Sequence, residues 1–553
     1  MIIPRPTELT THPGRFVLGP HLRLSAGPGA EAAAELLGHY LGRAGRHREP
    51  SGTGPRVRLE LGPDPGGPLA AQGYTLRIRP DQVTLTAPGE AGLLNGVQTL
   101  RQLLPPTALL RPTAVDPEAT GAGTGDRNGG GNGNASDGEA WWPCLDIQDR
   151  PLLPWRGFML DVARHFMPLD HLFRLVDQLA LHKFNVLHLH LTDDQGWRIE
   201  IQGLPRLTEV GSRRTASALG PGPDAATDGI PHAGHYTAAQ LRDLVAYAAR
   251  RGINVVPEIN MPGHVRALLA AHPQLGNRPE LPLPVWTHWG VSEDILAVHD
   301  QALEFCRQVL AGTMAIFPSR YIHIGGEECP TTQWHQSPAA RARALELGLP
   351  SPAALHGWFL QQMYDFLAAH GRRAVCWDET GHAEGDPPAG MTLHAWRDPD
   401  HGREAVRRGH QVIMSPHRST YLDYPQSSDP REPLGQPGEI VTLRDVYTFD
   451  PLVGGLPVAD PGQDDAGVLG TQASIWTEFA PTAEHVQYLL YPRLCAMAET
   501  AWSTGPRDYD DFRSRLDHHW RRLAALGVPT RPGGAASEPS DSHTPTLTGT
   551  MTP

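Results

Sequence analysis

Cysteine is scarce in this chain. There are five in 553 residues, Cys144, Cys306, Cys329, Cys376 and Cys495, scattered, odd in number and without a CxxC pair. That pattern excludes a disulfide framework and a zinc cluster. No apolar run reaches the length of a membrane-crossing helix, so no membrane partner is expected. Blocks of positive charge are also missing: 47 basic and 60 acidic residues give a formal net charge of −13, spread along the chain. A nucleic-acid binder would need a basic patch against phosphates, so that class is excluded. The chain has neither a phosphate loop nor a Gly-x-Gly-x-x-Gly fingerprint. The opening MIIPRPTELTTHPG carries no basic segment followed by an apolar one. It does not read as a signal peptide, and a cytoplasmic location is the expectation.

Hydrophobic residues make up 40% of the chain and charged residues 19%, enough for a large core and, at this length, more than one domain. The segment GYTLRIRPDQVTLTA has two alternating runs around Pro80-Asp81 and predicts a hairpin. EAGLLNGVQTLRQLL follows as a helix with Leu93, Val97, Leu100 and Leu104 on one face. Residues 1–145 are therefore expected to form a small α/β domain. At about 111–138 it carries a glycine-rich insertion, TGAGTGDRNGGGNGNASDG, too poor in apolar residues to order itself. Residues 533–553 are expected to be a disordered tail.

Between these segments, residues 146–532 alternate short apolar runs with helical stretches. The runs RGFMLDVAR, FNVLHLHLTDD, INVVPEINMPGH, RYIHIGGEE, RAVCWDE, MTLHAWR, HQVIMSP and VLGTQASIWTE read as eight strands. Eight βα units in one chain predict a (β/α)8 TIM barrel, closed by a last amphipathic helix, FRSRLDHHWRRLAAL, with Phe512, Leu516, Trp520 and Leu523 on one face. Active sites of such barrels lie at the C-terminal ends of the strands. Here those ends carry Asp161 and Arg164, Asp193 and Asp194, Glu258 and His264, Glu327 and Glu328, Trp377 with Asp378 and Glu379, and Trp476 with Glu478. Tryptophan faces stack on sugar rings, carboxylates accept hydrogen bonds from hydroxyls, and a carboxylic acid can protonate a glycosidic oxygen. The predicted mouth suits carbohydrate chemistry.

HIGGEECP at 323–330 resembles the signature of glycoside hydrolase family 20, the β-N-acetylhexosaminidases. WRGFMLDVARHF, NVLHLHLTDDQGWRIEI, VPEINMPGH and ASIWTE resemble other blocks of that family, in the same order, and the N-terminal part resembles its small α/β domain. The resemblance covers about residues 1–530 apart from the glycine-rich insertion. It implies a retaining exo-hydrolase whose nucleophile is the substrate's own 2-acetamido oxygen, forming an oxazolinium ion. By position in the motif, Glu328 would be the general acid/base, with a pKa raised toward neutrality, and Glu327 would hold the acetamide N–H. The family usually has Asp where this chain has Glu327, and the extra methylene changes the reach of that carboxylate by roughly an ångström.

The resemblance also implies that Arg164 binds sugar hydroxyls, that Asp193 and His264 support the acid/base, and that Trp358, Trp377 and Trp476 wall the sugar and its acetamido methyl. Tyr421 would hydrogen-bond the acetamide carbonyl, and Asp423 and Glu478 would bind hydroxyls. A tryptophan often found after the Tyr-Leu-Asp segment has no counterpart between Tyr424 and Trp476. The implied partner is a carbohydrate ending in β-linked N-acetylhexosamine, with no metal and no other cofactor. Two rivals compete with this reading. One is a non-catalytic sugar-binding protein on the same scaffold. The other is a metal-dependent amidohydrolase-type barrel, suggested by His188-Leu-His190, because alternate residues of a strand share a face.

Overall fold

The computed structural model describes residues 2–19, 21–42, 54–63, 69–109, 140–222, 224–379 and 387–528. The glycine-rich insertion and the tail lie outside them. The first unit is a six-stranded mixed sheet of β1 (Glu8–Val17), β2 (Arg23–Ala26), β3 (Arg56–Leu61), β4 (Tyr74–Ile78), β5 (Gln82–Ala87) and β6 (Trp141–Asp149), in the order β1-β6-β4-β5-β3-β2. The hairpin expected around Pro80-Asp81 is β4–β5, paired antiparallel with Ile78 opposite Val83. β6 runs to Asp149, beyond the expected boundary at residue 145.

The expected helix spans Glu90–Leu103 and is buried on more than its apolar face. It lies between the sheet and the barrel. Leu93, Val97 and Leu100 enter the sheet's core beside Val83 and Leu85, each buried leucine contributing roughly 1.5–3 kcal/mol. Gln102, on another face, donates to the carbonyls of Ile3 at 2.6 Å and Leu181 at 2.7 Å. Gly96 permits the close approach: a Cβ there would stand 2.3 Å from Leu85 Cδ1. A buried ion pair joins the two units. Lys183 Nζ lies 2.8 Å from Asp149 Oδ2, and Trp502 Nε1 donates to Asp149 Oδ1 at 2.9 Å.

The second unit is a closed barrel of eight parallel strands. β7 (Trp155–Asp161) and β8 (Val186–His190) come first. Two short pairs then fill the long loop, β9 (Thr192–Asp193) with β10 (Gly196–Trp197) and β11 (Arg213–Arg214) with β12 (His232–Ala233). The barrel continues with β13 (Asn254–Glu258), β14 (Tyr321–His323), β15 (Arg373–Trp377), β16 (Thr392–Ala395), β17 (Gln411–Met414) and β18 (Gly467–Ile475), which pairs back onto β7. All eight predicted strands are present. The connection from β15 to β16 departs from the strict alternation: no helix lies there among the described residues. The closing helix spans Tyr509–Ala525, with Phe512, Leu516 and Leu523 buried and Trp520 only partly so.

The barrel interior is layered. Its floor is apolar, built from Trp155, Val186, Val256, Tyr321, Val375, Ile413 and Leu469. Two residues further along the strands, the same face carries His188, Glu258, His323 and Trp377. His394 of β16 and Gln472 of β18 join this polar layer: the Trp377 and His394 rings stack at 4.2 Å, and Gln472 Nε2 lies 3.1 Å from His188 Nδ1. The apolar floor closes one end, and the polar layer faces the end where the site is found.

Candidate active site

The catalytic block HIGGEE owes its two glycines to local geometry. Gly325 has φ +71°, and a Cβ there would fall 1.8 Å from Asn260 Oδ1, so only glycine fits. Gly326 has φ +96° and donates its N–H to the same oxygen at 3.3 Å. His356, on the helix Leu355–Ala369, supports the turn from behind with Nε2 2.8 Å from the Gly326 carbonyl. After this turn the two adjacent carboxylates face different surroundings. Glu327 is buried, and its Oε1 accepts from Asn260 Nδ2 at 2.5 Å. Glu328 has φ +48°, a conformation that costs a non-glycine residue free energy, and its side chain is 39% exposed. Its backbone N–H donates to Glu379 Oε1 at 3.3 Å, and Glu379 is paired with Arg397 at 2.7 Å.

Both carboxylates line a cavity of about 140 Å³ at the C-terminal mouth of the barrel. Seven strand ends contribute to its wall. Arg164 follows β7, His264 follows β13, and Trp377 ends β15. Trp396 follows β16; Tyr421, Asp423, Tyr424 and Gln436 follow β17; Trp476 and Glu478 follow β18. Asp193, in β9 just after β8, acts from below; it is 1% exposed and does not line the cavity. It is thus a buried support, the role expected of it beside His264.

Trp358 is corrected: it is not among the cavity-lining residues. It sits in the helix Leu355–Ala369, packed against the Ile295, Trp334 and Leu355 cluster, with the Arg343 guanidinium 5.2 Å from its ring. The wall that the sequence left open carries Trp396 instead. Its ring is stacked parallel to Tyr421 with centroids 6.4 Å apart, and it reaches the site from the end of β16, not from the loop after the Tyr-Leu-Asp segment.

Arg164 is held by carboxylates on three sides. Its guanidinium lies 3.0 Å from Asp193, 3.4 Å from Asp161 and 3.8 Å from Glu478. Its Nε donates to Gln195 at 3.1 Å. Burial works against its charge, but Asp193, Glu478 and Asp161 outweigh that and hold the guanidinium charged. Asp423 makes no ion pair of this kind among the described residues. Burial first, and Glu478 second, push its carboxyl well above the usual aspartate range, with backbone contacts at its own residue and at Trp476 pulling the other way. A buried carboxyl in the cavity wall is placed to meet hydroxyl donors.

The charge states of the pair invert the sequence expectation. Burial pushes Glu327 up to about 8, with the Glu258 carboxylate adding to the rise. Burial raises Glu328 as well, but His264, with Nε2 3.6 Å from its carboxylate, more than cancels this and leaves Glu328 below the usual glutamate range. His264 carries the necessary charge. Burial opposes its protonation, yet Asp193 at 3.2 Å and Asp194 at 3.4 Å hold it as an imidazolium. The raised pKa expected for Glu328 is therefore found on Glu327.

Of the two histidines considered as metal ligands, His190 is otherwise engaged: Nδ1 is 2.7 Å from Glu258 and Nε2 is 2.8 Å from Asp193. His188 lies with Glu258 and His323 in a group whose potential ligand atoms are all within 4.8 Å of one another. Tyr421 and Glu478 stand where the sequence placed them, on the cavity wall.

Sequence comparison agrees with this geometry. The profile of glycosyl hydrolase family 20, catalytic domain, matches residues 153–505, and that of glycosyl hydrolase family 20, domain 2, matches residues 1–119. The chain is 37% identical to a β-hexosaminidase of Porphyromonas gingivalis over 88% of this chain, though it spans only 58% of that relative. It is 34% identical to a β-N-acetylhexosaminidase of Cellulomonas fimi over 94% of each chain. The structure superposes with a TM-score of 0.78 and 28% identity on the exo-β-N-acetylglucosaminidase of Vibrio harveyi in complex with N-acetylglucosamine, covering 96% of this chain and 78% of that one. The chain belongs to glycosyl hydrolase family 20.

Proposed function

We propose that the protein is a retaining exo-β-N-acetylhexosaminidase that releases terminal β-linked N-acetylglucosamine or N-acetylgalactosamine through an oxazolinium intermediate. The observation that carries this reading is the division of labour between adjacent carboxylates in one cavity. Glu327 is buried beside Tyr421, Trp377 and Trp476, and Glu328 is at the rim with access to a leaving group. The Vibrio harveyi relative, which holds N-acetylglucosamine, supports the same sugar here.

In the first step the acetamido carbonyl oxygen attacks the anomeric carbon. The bond to the leaving oxygen breaks, and Glu328 gives that oxygen its proton. Glu327 accepts the acetamide N–H and faces the positive charge that grows on the oxazolinium, while the Tyr421 hydroxyl donates to the acetamido oxygen. In the second step Glu328, now a carboxylate, takes a proton from water as the water oxygen attacks the same carbon and reopens the ring. Arg164, Asp423 and Glu478 hold the sugar hydroxyls, and Trp377, Trp396 and Trp476 enclose the ring and the acetamido methyl.

The order of the two pKa values favours the proton on Glu327, and the reaction needs it on Glu328. Substrate makes up that difference. The acetamide N–H stabilises the Glu327 carboxylate, and the leaving group excludes water from Glu328, which raises its pKa. The test is the anomeric form of the first product. Proton NMR of fresh digests should show the β-anomer of N-acetylhexosamine before mutarotation, and an initial α-anomer overturns the mechanism.

A further inference from the structure

Beneath the cavity the structure contains a fully buried ionic chain that no contact with the sugar explains. Glu258, at the end of β13, is 0% exposed and uses both carboxylate oxygens. Oε1 accepts from Trp377 Nε1 at 2.8 Å, and Oε2 lies 2.7 Å from His190 Nδ1. The other nitrogen of His190 lies 2.8 Å from Asp193 Oδ2. Asp193 in turn meets Arg164 at 3.0 Å and His264 at 3.2 Å, and His264 reaches Glu328. The His190 ring also meets Trp476 edge-on, with centroids 4.9 Å apart.

We infer that Glu258 and His190 are positioning residues that hold the acid/base assembly in register with the tryptophan walls of the sugar pocket. The inference rests on Glu328 being the acid/base. A neutral imidazole has only one N–H, and His190 has a carboxylate oxygen within hydrogen-bond distance of each nitrogen. Both contacts are attractive only if both nitrogens carry protons. His190 is therefore an imidazolium fixed between two anions, and the sequence of charges Glu258, His190, Asp193, His264, Glu328 alternates in sign from the barrel centre to the rim. One carboxylate thus sets two things at once. Through His190 it fixes the orientation of Asp193, and hence of His264. Directly, it fixes the indole of Trp377.

Other charged or titratable groups share the partners of His190. His188 on the same strand faces the same Glu258 oxygen, Oε2, at 3.0 Å, His323 on β14 faces Oε1 at 3.3 Å, and Arg164 meets the same Asp193 oxygen at 3.0 Å. Asp161 on β7 is committed to Arg164 and to Thr477. Burial opposes a charge on His190, but Glu258 and Asp193 override it and raise its pKa to about 10.

Glu258→Gln removes the charge that His190, His188 and His323 all face. The amide oxygen keeps an acceptor for Trp377, and the amide NH2 turns toward His190 Nδ1. That nitrogen must then offer a lone pair, so His190 becomes neutral with its proton on Nε2. Two measurements decide the matter. In the wild-type protein, nitrogen-15 NMR of labelled histidine should show both ring nitrogens of His190 protonated between pH 6 and pH 9; a neutral His190 at pH 7 overturns the inference. In the Glu258→Gln enzyme, kcat for a substrate with an alkyl or sugar leaving group should fall about 100-fold. Cleavage of the 2,4-dinitrophenyl glycoside, which needs no acid, should stay close to wild type, and the pH profile of kcat/KM should gain an ionisation. Equal losses on both substrates with an unchanged pH profile overturn it in favour of a purely structural role. The NMR measurement does not use the acid/base assignment and needs no variant to fold. A failure of that assignment, read as a Glu328→Gln enzyme without leaving-group dependence, is thereby told apart from a failure of the pair.

Discussion

Replacing Glu327 by Gln keeps the shape of the side chain and removes its charge. Glu327 faces the place where the oxazolinium forms. A unit charge pair about 4 Å apart at an effective dielectric of about 20 is worth about 4 kcal/mol. Burial has pushed Glu327 up to about 8 in the empty cavity, so ionising it at pH 7 costs about 1.4 kcal/mol. The difference, about 2.6 kcal/mol, predicts a kcat roughly 100-fold lower in Glu327→Gln. The pH dependence gives a second reading. In the wild type, Glu328 titrates below the usual glutamate range and Glu327 near 8, so between those limits the two carboxyls hold one proton, on Glu327. Below the window both groups are protonated, and above it neither is. The kcat/KM profile should therefore be a bell whose alkaline limb lies near pH 8. In Glu327→Gln only Glu328 titrates, and the alkaline limb should move down into the acid range. The assay is hydrolysis of a 4-nitrophenyl N-acetyl-β-glucosaminide across pH 3–10. A variant with kcat within a few-fold of wild type, or with its alkaline limb still near 8, would refute this reasoning.

Two further predictions concern the groups on either side of that pair. Glu328→Gln should lose about 10²–10⁴-fold in kcat on substrates with poor leaving groups and much less on the 2,4-dinitrophenyl glycoside; equal losses on both would remove Glu328 from the acid role. Arg164→Met should cost about 3–5 kcal/mol of stability at pH 7, because Asp161, Asp193 and Glu478 lose their shared cation. Burial raises Asp193, but Arg164, His264 and His190 together outweigh it and hold this carboxyl below the usual aspartate range, so the wild-type advantage is present above about pH 4 and shrinks as pH falls further. Urea melts at pH 7 and pH 3 check this, and an advantage that grows in acid contradicts it.

The barrel was legible in the sequence because each strand run is a local signal and the rule placing chemistry at strand ends needs no distances. Arg164, His264, Glu327, Glu328, Trp377, Trp476 and Glu478 were found that way, Tyr421 and Asp423 through the family resemblance, and all line the cavity. What depends on contacts between distant segments was not legible. The order of the N-terminal sheet places β6 between β1 and β4, a pairing across more than 60 residues that no local pattern encodes.

Trp358 was misplaced because an aromatic near the start of a helix has the same sequence signature whether it packs inward or faces a ligand. Trp396 was passed over for the complementary reason, although MTLHAWR puts it at a strand end. The charge of Glu328 was misjudged from adjacency. Two neighbouring glutamates suggest mutual repulsion, but the positive φ angles at Gly325, Gly326 and Glu328 lead them into different surroundings, and His264, more than 60 residues earlier, decides the titration. Glu258 was recognised as a strand-end carboxylate, but its buried partners come from β8 and β15 and appear only when the barrel closes.

The claim on which the account depends most is that the substrate's own acetamide is the nucleophile. Its most direct test compares 4-nitrophenyl N-acetyl-β-glucosaminide with 4-nitrophenyl β-glucoside, which share leaving group and ring and differ at the 2-substituent. The account predicts ready release of nitrophenol from the first and none detectable from the second. Cleavage of both at similar rates would contradict it.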